Sequence, residues 1–381
     1  MDAHKVMQCI PSMAGGGAER QFVYLTRGLI RRGWDVSVVV THEGPNFHHL
    51  LSSGARIYRP AAWTNYDPSL FIRISHIIKK EQPSLVQTWL LQMDVFGGLA
   101  ALKQGVPWIL SERSSALCYT KSVKYKLREM LAVRASAIVA NSCDGREYWR
   151  SRVGAHALSR IIPNGVPLSQ IEEATALPSL QSGIADDAEV ILFVGRWSPE
   201  KNWENLLPAL REVLRVPDRV VVLCGQGLQS AEVIQKLVAE QGSHRVRVLG
   251  YVNEIWAWMK RASVFVSVGF FEGKPNGVLE AMACGCSLVV SDIPAHREFL
   301  DESSAVLVNP CDVLSITKGI ELCLTDPSSA RSRSERARGI IAQWSVERMV
   351  GRYEELYREV TTRWRELRGE KLRTHRGAEG C

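Results

Sequence analysis

Two successive series of short apolar runs, each alternating with helix-period segments, decide what this chain of 381 residues can fold into. The first series is Lys5–Ile10, Val36–Thr41, Arg56–Tyr58, Leu85–Trp89, Trp108–Ser111 and Ala137–Ala140, with helical patterns between them such as Ala18–Arg32 and Leu70–Glu81. The second begins near residue 189 with Val190–Val194, Val220–Cys224, Arg247–Leu249, Val264–Val268, Ser287–Val290 and Ala305–Val308. Short apolar strands joined by amphipathic helices predict parallel sheets covered on both faces. The fold class is therefore α/β, with two doubly wound Rossmann-like domains whose ligands bind beyond the carboxyl ends of the strands. Gln170–Asp187 lacks strong periodicity and carries Pro178, Gly183 and paired acids, as a linker would. The expected organisation is an N-terminal domain over 1–168, a linker over 169–188 and a C-terminal domain over 189–344. A last helical pattern over 345–367 places Met349, Tyr353, Leu356, Tyr357 and Val360 at spacings of three and four. It is expected to pack back on the first domain.

Composition narrows the function classes. Apolar residues make up 46% and charged residues 23%, the balance of a soluble globular protein. No apolar run reaches the length of a bilayer crossing. Met1–Ile10 runs straight into a strand without a signal-peptide core, which sets a cytoplasmic expectation. Of nine cysteines only Cys284 and Cys286 are close, and none stand at zinc spacing, so they read as packing thiols. The net charge of +7 suits a polyanionic ligand or an anionic membrane surface. No nucleic-acid motif accompanies it.

Three stretches carry chemistry. Phe270–Gly285 reads FFEGKPNGVLEAMACG after the strand VFVSV. Gly273 and Pro275 call for a turn, Asn276 is placed to cap a helix, and Gly285 to end it. Glu272 then lies in the loop and Glu280 one turn into the helix, both at the sheet rim. A carboxylate accepts two sugar hydroxyls, and the helix N-terminus offers N–H groups to a diphosphate. Val194–Lys201, VGRWSPEK, also leaves a strand; Gly195 permits a tight exit, and Arg196 and Lys201 are expected to converge and neutralise a diphosphate. In the first half, Ala14–Arg20 (AGGGAER) puts Gly15, Gly16 and Gly17 between the first strand and first helix, where backbone can approach a ligand. A plain tight turn with Glu19 on the exposed helix face is the alternative. Neither a Walker A nor a G-x-G-x-x-G pattern is present.

From Phe271-Glu272-Gly273 through Glu280-Ala281-Met282-Ala283 the chain resembles the E-x7-E signature of retaining GT-B glycosyltransferases of family 4 (group 1). Further matches are Gly15–Arg20, Pro163-Asn164-Gly165-Val166, Gly225-Gln226-Gly227, Ser291-Asp292-Ile293, Arg297-Glu298 and Pro310-Cys311-Asp312, so the likeness runs nearly the whole length. It implies a GT-B fold with a nucleotide-sugar donor in the cleft between the domains. Glu272, Arg196 and Lys201 would carry the chemistry, with Glu272 on the donor sugar and the two cations on the diphosphate. Gly16, Gly17, Gly195, Gly225, Asn276, Gly277, Val278, Leu279 and Glu280 would complete the donor site, Glu280 on the ribose, with Val278 and Leu279 packing near the ribose and phosphate or bonding them through main-chain N–H groups. Anomeric configuration would be retained and no metal or other cofactor required. No D-x-D motif occurs, which agrees with protein cations holding the leaving group.

One departure falls on the acceptor side. Many members keep a histidine after the fourth strand, where this chain reads Gln87-Thr88-Trp89-Leu90. The next strand ends in Ser111-Glu112-Arg113-Ser114, and Glu112 and Arg113 either face an acceptor or form a structural salt bridge. The basic stretch Lys121–Arg134 either lies on an anionic membrane, peripheral on the cytoplasmic face of the inner membrane, or is a solvated helix. The tail Arg363–Arg376 is basic and expected to be disordered at its end. The resulting expectation is transfer of a hexose or N-acetylhexosamine from a UDP-sugar to a glycan or lipid-linked glycan. A nucleotide-sugar epimerase and a non-catalytic nucleotide-sugar-binding protein are the alternatives. UDP over GDP or ADP rests on family frequency alone, and front-face attack versus a covalent intermediate stays open.

Overall fold

The computed structural model describes residues 4–64, 67–114, 119, 122–154 and 158–378, with side chains described as far as residue 368. The chain divides into two compact units, Met1–Gly165 with Val346–Cys381, and Val166–Ser345.

The first unit is built on a seven-stranded sheet. In chain order its strands are β1 (Lys5–Ser12), β2 (Asp35–His42), β3 (Arg56–Tyr58), β4 (Leu85–Trp89), β5 (Trp108–Glu112), β6 (Ala137–Ala140) and β7 (Leu158–Ile161). They pair in the order β3-β2-β1-β4-β5-β6-β7, all parallel. Because β1 sits between β2 and β4, the strand order reverses at β1/β4, and a crevice opens there at the carboxyl ends. Val6–Ile10 and Leu85–Trp89 are buried throughout, as strands with helices on both faces require. The polar members are satisfied inside the sheet. Thr26 Oγ1 donates to Gln8 Oε1 at 3.0 Å, Tyr357 donates to Gln87 Oε1, and Gln87 Nε2 donates to Ser111 Oγ at 2.6 Å.

The second unit repeats the design with six strands: β8 (Glu189–Val194), β9 (Arg219–Cys224), β10 (Val246–Gly250), β11 (Val264–Ser267), β12 (Leu288–Ser291) and β13 (Val306–Val308). Their order is β10-β9-β8-β11-β12-β13, again parallel, with the reversal at β8/β11.

The C-terminal helix Val346–Ala378 belongs to the first unit. Met349, Val350, Tyr353, Leu356, Tyr357 and Val360 are buried with Phe22, Leu25 and Leu29 of the helix Gly17–Arg31. The helices touch at Gly28, where a Cβ would lie 2.3 Å from Val350 Cγ2, so only glycine admits this approach. The tail expected to be disordered is helical to Ala378. The stretch read as a linker is packed on the second unit. Ile171 and Ile184 enter its core, and Leu177 N donates to Ala257 O at 3.1 Å. Three widely spaced apolar anchors give no periodicity, yet they bind the stretch as a strap.

Candidate functional site

The second unit gathers the residues of the two loops expected on the donor side at the β8/β11 switch point. After β8 the chain turns at Gly195, whose N–H donates to Cys224 O at 2.9 Å, and Trp197 N donates to Gln226 O at 2.8 Å. Gly225 is the counterpart at the end of β9: a Cβ there would fall 1.8 Å from Gly195 O. The loop then makes a short 3-10 turn, Pro199–Lys201, and closes on Asn202 in the left-handed conformation, φ 62°. The buried Asn202 amide donates from Nδ2 to Val268 O at 2.9 Å and to Pro310 O at 2.7 Å. Phe270 N donates to Glu200 O at 3.0 Å. These bonds tie the β8 loop to the β11 loop, and Asn202 is a positioning residue that the motif reading missed. Its signal was an asparagine, tolerant of left-handed backbone, directly ahead of a helix.

Lys201 and Glu272 are brought together: Lys201 Nζ donates to Glu272 Oε1, with side chains 19% and 13% exposed. Arg196 does not join them. It is 67% exposed and its Nη2 bonds Glu200 Oε1 at 2.9 Å, one helical turn along the chain. The expected convergence of the two cations is replaced by two separate ion pairs, because each has a nearer carboxylate.

The helix Asn276–Cys284 starts one residue earlier than a cap at Asn276 would allow; Pro275 is the N-cap and Asn276 the first helical residue. The N–H groups of Val278 and Leu279 both donate to Pro275 O, at 3.0 and 3.1 Å, and their side chains are buried in the core. Main-chain donation from these two residues is thus already used within the helix. Gly277 lies against Phe265 and Val194 O, close to the β8 and β11 ends. Glu280 is buried rather than on the rim, and its Oε2 accepts from Trp256 Nε1 at 3.0 Å. His296, after β12, is a further buried group that the sequence did not flag. Its Nδ1 donates to Ser291 O at 2.8 Å, while Nε2 has no hydrogen-bond partner among the described residues. Burial lowers its pKa and keeps the ring neutral.

In the first unit, Gly16 is the N-cap of the helix Gly17–Arg31, and Gly15 has φ 95°. Glu19 is not on an exposed face: it is buried, and its Oε2 would lie 2.5 Å from a Cβ on Gly16. Beside this turn, at the end of β4, Leu90 has φ 66°, a strained conformation for a residue with a Cβ.

Glu112 and Arg113 are both bound internally. Glu112 is fully buried and accepts from Arg128 Nη1 at 3.0 Å, Trp149 Nε1 at 2.8 Å, Tyr119, and the Arg113 and Ser114 N–H groups at 2.8 Å each. Arg128 bonds Asp94 Oδ2 as well, at 2.8 Å. Arg113 donates to Asn164 Oδ1 at 3.2 Å and to Tyr353, and lies 4.0 Å over the Trp89 ring. For Glu112 the salt-bridge reading replaces the acceptor-facing one: with two acids and one arginine walled in together, it has no lone pair to spare. Arg113, among the described residues, is held by hydrogen bonds and the Trp89 ring rather than by an ion pair.

The basic stretch forms the helix Val123–Ala132; Lys121 lies outside the described residues. Val123, Leu127, Met130 and Val133 form an exposed apolar stripe, Val123 at 83% and Met130 at 72%, flanked by exposed Lys124, Lys126 and Arg134. Among the described residues no helix is long and apolar enough to cross a membrane, and no cluster of three or more His, Cys, Asp or Glu could hold a metal ion.

Comparison with known proteins adds to this geometry. The model for Glycosyltransferase Family 4 matches residues 15–170, and that for Glycosyl transferases group 1 matches residues 179–339. The chain is 25% identical to the UDP-Gal:alpha-D-GlcNAc-diphosphoundecaprenol alpha-1,3-galactosyltransferase of Escherichia coli, over 92% of this chain and 95% of that protein. It is 23% identical to the lipopolysaccharide core biosynthesis glycosyltransferase LpsE of Rhizobium meliloti, over 90% and 95% respectively. The structure of Anabaena HepE in complex with UDP and glucose superposes with a TM-score of 0.82 at 19% identity, covering 93% of this chain and 100% of that one. At that identity the likeness establishes a shared fold.

Proposed function

This chain belongs to the family 4 (group 1) glycosyltransferases and has their GT-B fold, and we propose that it transfers a hexose or N-acetylhexosamine from a UDP-sugar to a glycan or lipid-linked glycan with retention of configuration and without a metal ion. The observation that carries this reading is the Lys201–Glu272 pair at the β8/β11 switch point, a cation for phosphate and a carboxylate for sugar hydroxyls on two loops bolted together by Asn202. UDP is favoured because the E. coli relative uses UDP-Gal and HepE is seen with UDP. A lipid-linked acceptor is favoured by the diphosphoundecaprenol substrate of that relative.

In this mechanism an acceptor hydroxyl oxygen bonds to the anomeric carbon as the bond to the diphosphate breaks. The electron pair leaves on the diphosphate, whose charge Lys201 and Arg196 neutralise, and the acceptor proton passes to a phosphate oxygen. Of the two carboxylates considered as nucleophiles, Glu112 is buried in its own network and Glu272 is paired with Lys201. That supports attack on the face the leaving group vacates. The stripe on Val123–Ala132, apolar with a cationic border, suits the surface of an anionic membrane carrying such an acceptor.

The test is calorimetric titration of UDP, GDP, ADP and NAD in EDTA, repeated on Lys201→Ala, with product analysis in the presence and absence of acceptor. The expected result is binding of one nucleoside diphosphate that the substitution abolishes while the fold persists. Binding indifferent to Lys201, or an epimerised product formed without acceptor, overturns the proposal.

A further inference from the structure

We propose that Lys274 is a positioning residue, whose buried ammonium, caged by Glu298, Phe299 and Trp344, fixes the loop that presents Glu272 to the donor sugar. This rests on the donor-site reading above.

Lys274 is only 8% exposed. Its Nζ donates to Glu298 Oε2 at 2.8 Å and lies 4.7 Å from the centroids of both the Phe299 and Trp344 rings. The two rings are themselves in contact, centroids 5.5 Å apart. A lysine between two aromatic faces and one carboxylate is held by charge pairing and cation–π attraction together. Stability alone does not call for that arrangement. Replacing both Lys274 and Glu298 by uncharged side chains of similar size would fill the same space without desolvating an ammonium, and such replacements of a whole buried pair are often neutral or stabilising.

What the charge secures is position. The loop after β11 is pinned at its start by Ser291 Oγ, which donates to Gly269 O at 2.7 Å, with His296 Nδ1 in turn bonding Ser291 O. Lys274 pins its far end, two residues beyond Glu272 and two before the helix Asn276–Cys284. Ser291 ends β12 and Glu298 and Phe299 come from the segment that follows it, so β12 and its continuation hold both ends of the loop. Gly273 and Pro275 flank the lysine, and glycine leaves the loop free to swing unless its neighbour is anchored. Glu272 can then meet sugar hydroxyls in a fixed geometry, which is where the rate advantage of positioning arises.

The experiment uses the full-length chain and compares UDP with UDP-glucose, UDP-galactose and UDP-N-acetylglucosamine on wild type, Lys274→Met, Lys274→Arg and Lys274→Met/Glu298→Gln. Affinities are read by calorimetry, kcat and KM by product release, and folding by thermal denaturation. UDP affinity is expected to stay within about twofold of wild type in Lys274→Met. The preferred UDP-sugar should lose about tenfold in affinity relative to UDP, and kcat about a hundredfold. Lys274→Arg should recover part of both. Should Lys274→Met be unstable because Glu298 is left unpaired, the double variant carries the same expectation. Equal weakening of UDP and UDP-sugar, collapse of the fold in the double variant, or unchanged turnover in Lys274→Met each overturns the role of Lys274. If wild type binds no nucleoside diphosphate, the donor-site reading fails along with it.

Discussion

Replacing Gly225 by alanine tests whether the backbone junction between β8 and β9 sets the diphosphate loop. Gly225 has φ 154°, and a Cβ there would lie 1.8 Å from Gly195 O and 2.5 Å from its carbonyl carbon. Real Cβ atoms essentially never come within 3.0 Å of another heavy atom, so the two backbones must part by about an ångström. No flexible side chain is available to absorb that movement. Gly225 is held from behind by its N–H bond to Gly250 O at 2.6 Å, so the displacement falls on Gly195 and the turn beyond it, which carries Arg196 and Lys201. A misplacement of about 1 Å at a reacting centre lowers kcat/KM by about a hundredfold, or about 2.7 kcal/mol. The overpacking itself costs about 1–3 kcal/mol of stability, a fall in Tm of about 2–12 °C. The assay is UDP titration beside initial rates at saturating acceptor, with Tm as the control. Near-native UDP affinity and kcat/KM in Gly225→Ala would refute the reasoning, since the clash would then have been relieved somewhere other than the site.

Arg128→Met leaves Asp94 and Glu112 buried without their shared cation, and is expected to destabilise the protein by about 3–5 kcal/mol, read as a fall in Tm that Asp94→Asn partly restores. Burial pushes the Asp94 carboxyl up to about 6, against the pull of Arg128 and Thr88. The native state therefore binds more protons than the unfolded chain between pH 3.8 and about 6, so this group's contribution to stability is complete below that window and is lost as the pH rises through it; Asp94→Asn should flatten that slope in denaturant titrations. Vesicles containing anionic lipid should co-sediment the protein, and Lys124→Glu/Lys126→Glu or Val123→Asp/Met130→Asp should release it; sedimentation unchanged by either pair would exclude this helix as the docking face.

The sheets were legible because buried parallel strands are rich in apolar residues, and twelve of the thirteen strands among the described residues overlap the runs read from the sequence. The missing one, β7, reads Leu158-Ser159-Arg160-Ile161 at the sheet edge, with its central pair exposed, and two apolar residues do not make a pattern. The two donor-side loops were legible for a different reason: a strand that must turn sharply needs glycine and proline, and these mark Gly195, Gly273 and Pro275 in place. What could not be read is which neighbour each charge meets. Glu112 looked equally suited to an acceptor or a salt bridge until folding brought Arg128 and Trp149, 16 and 37 residues away, onto its oxygens. Nothing in the spacing around Lys274 signals burial; Glu298, Phe299 and Trp344, brought in by the fold, enclose it. Such pairings depend on topology rather than spacing.

Under the proposed function, the pairing of Lys201 with Glu272 changes how the donor would be bound. Sequence assigned the lysine to phosphate and the glutamate to sugar as separate contacts, yet in the structure each is the other's partner in a half-buried setting where their attraction is only partly screened. A phosphate drawing on Lys201 competes with Glu272 for the same ammonium. Sugar hydroxyls that donate to Glu272 lessen that competition by stabilising the carboxylate in another way. The two halves of one nucleotide-sugar therefore favour each other's binding, which neither UDP nor a free sugar can reproduce. Substituting either residue also strands a charge on the other. The loss from Lys201→Ala accordingly includes an unpaired Glu272, and the two single substitutions will not sum to the double. The proposed donor site would then select the intact nucleotide-sugar through the ion pair it interrupts.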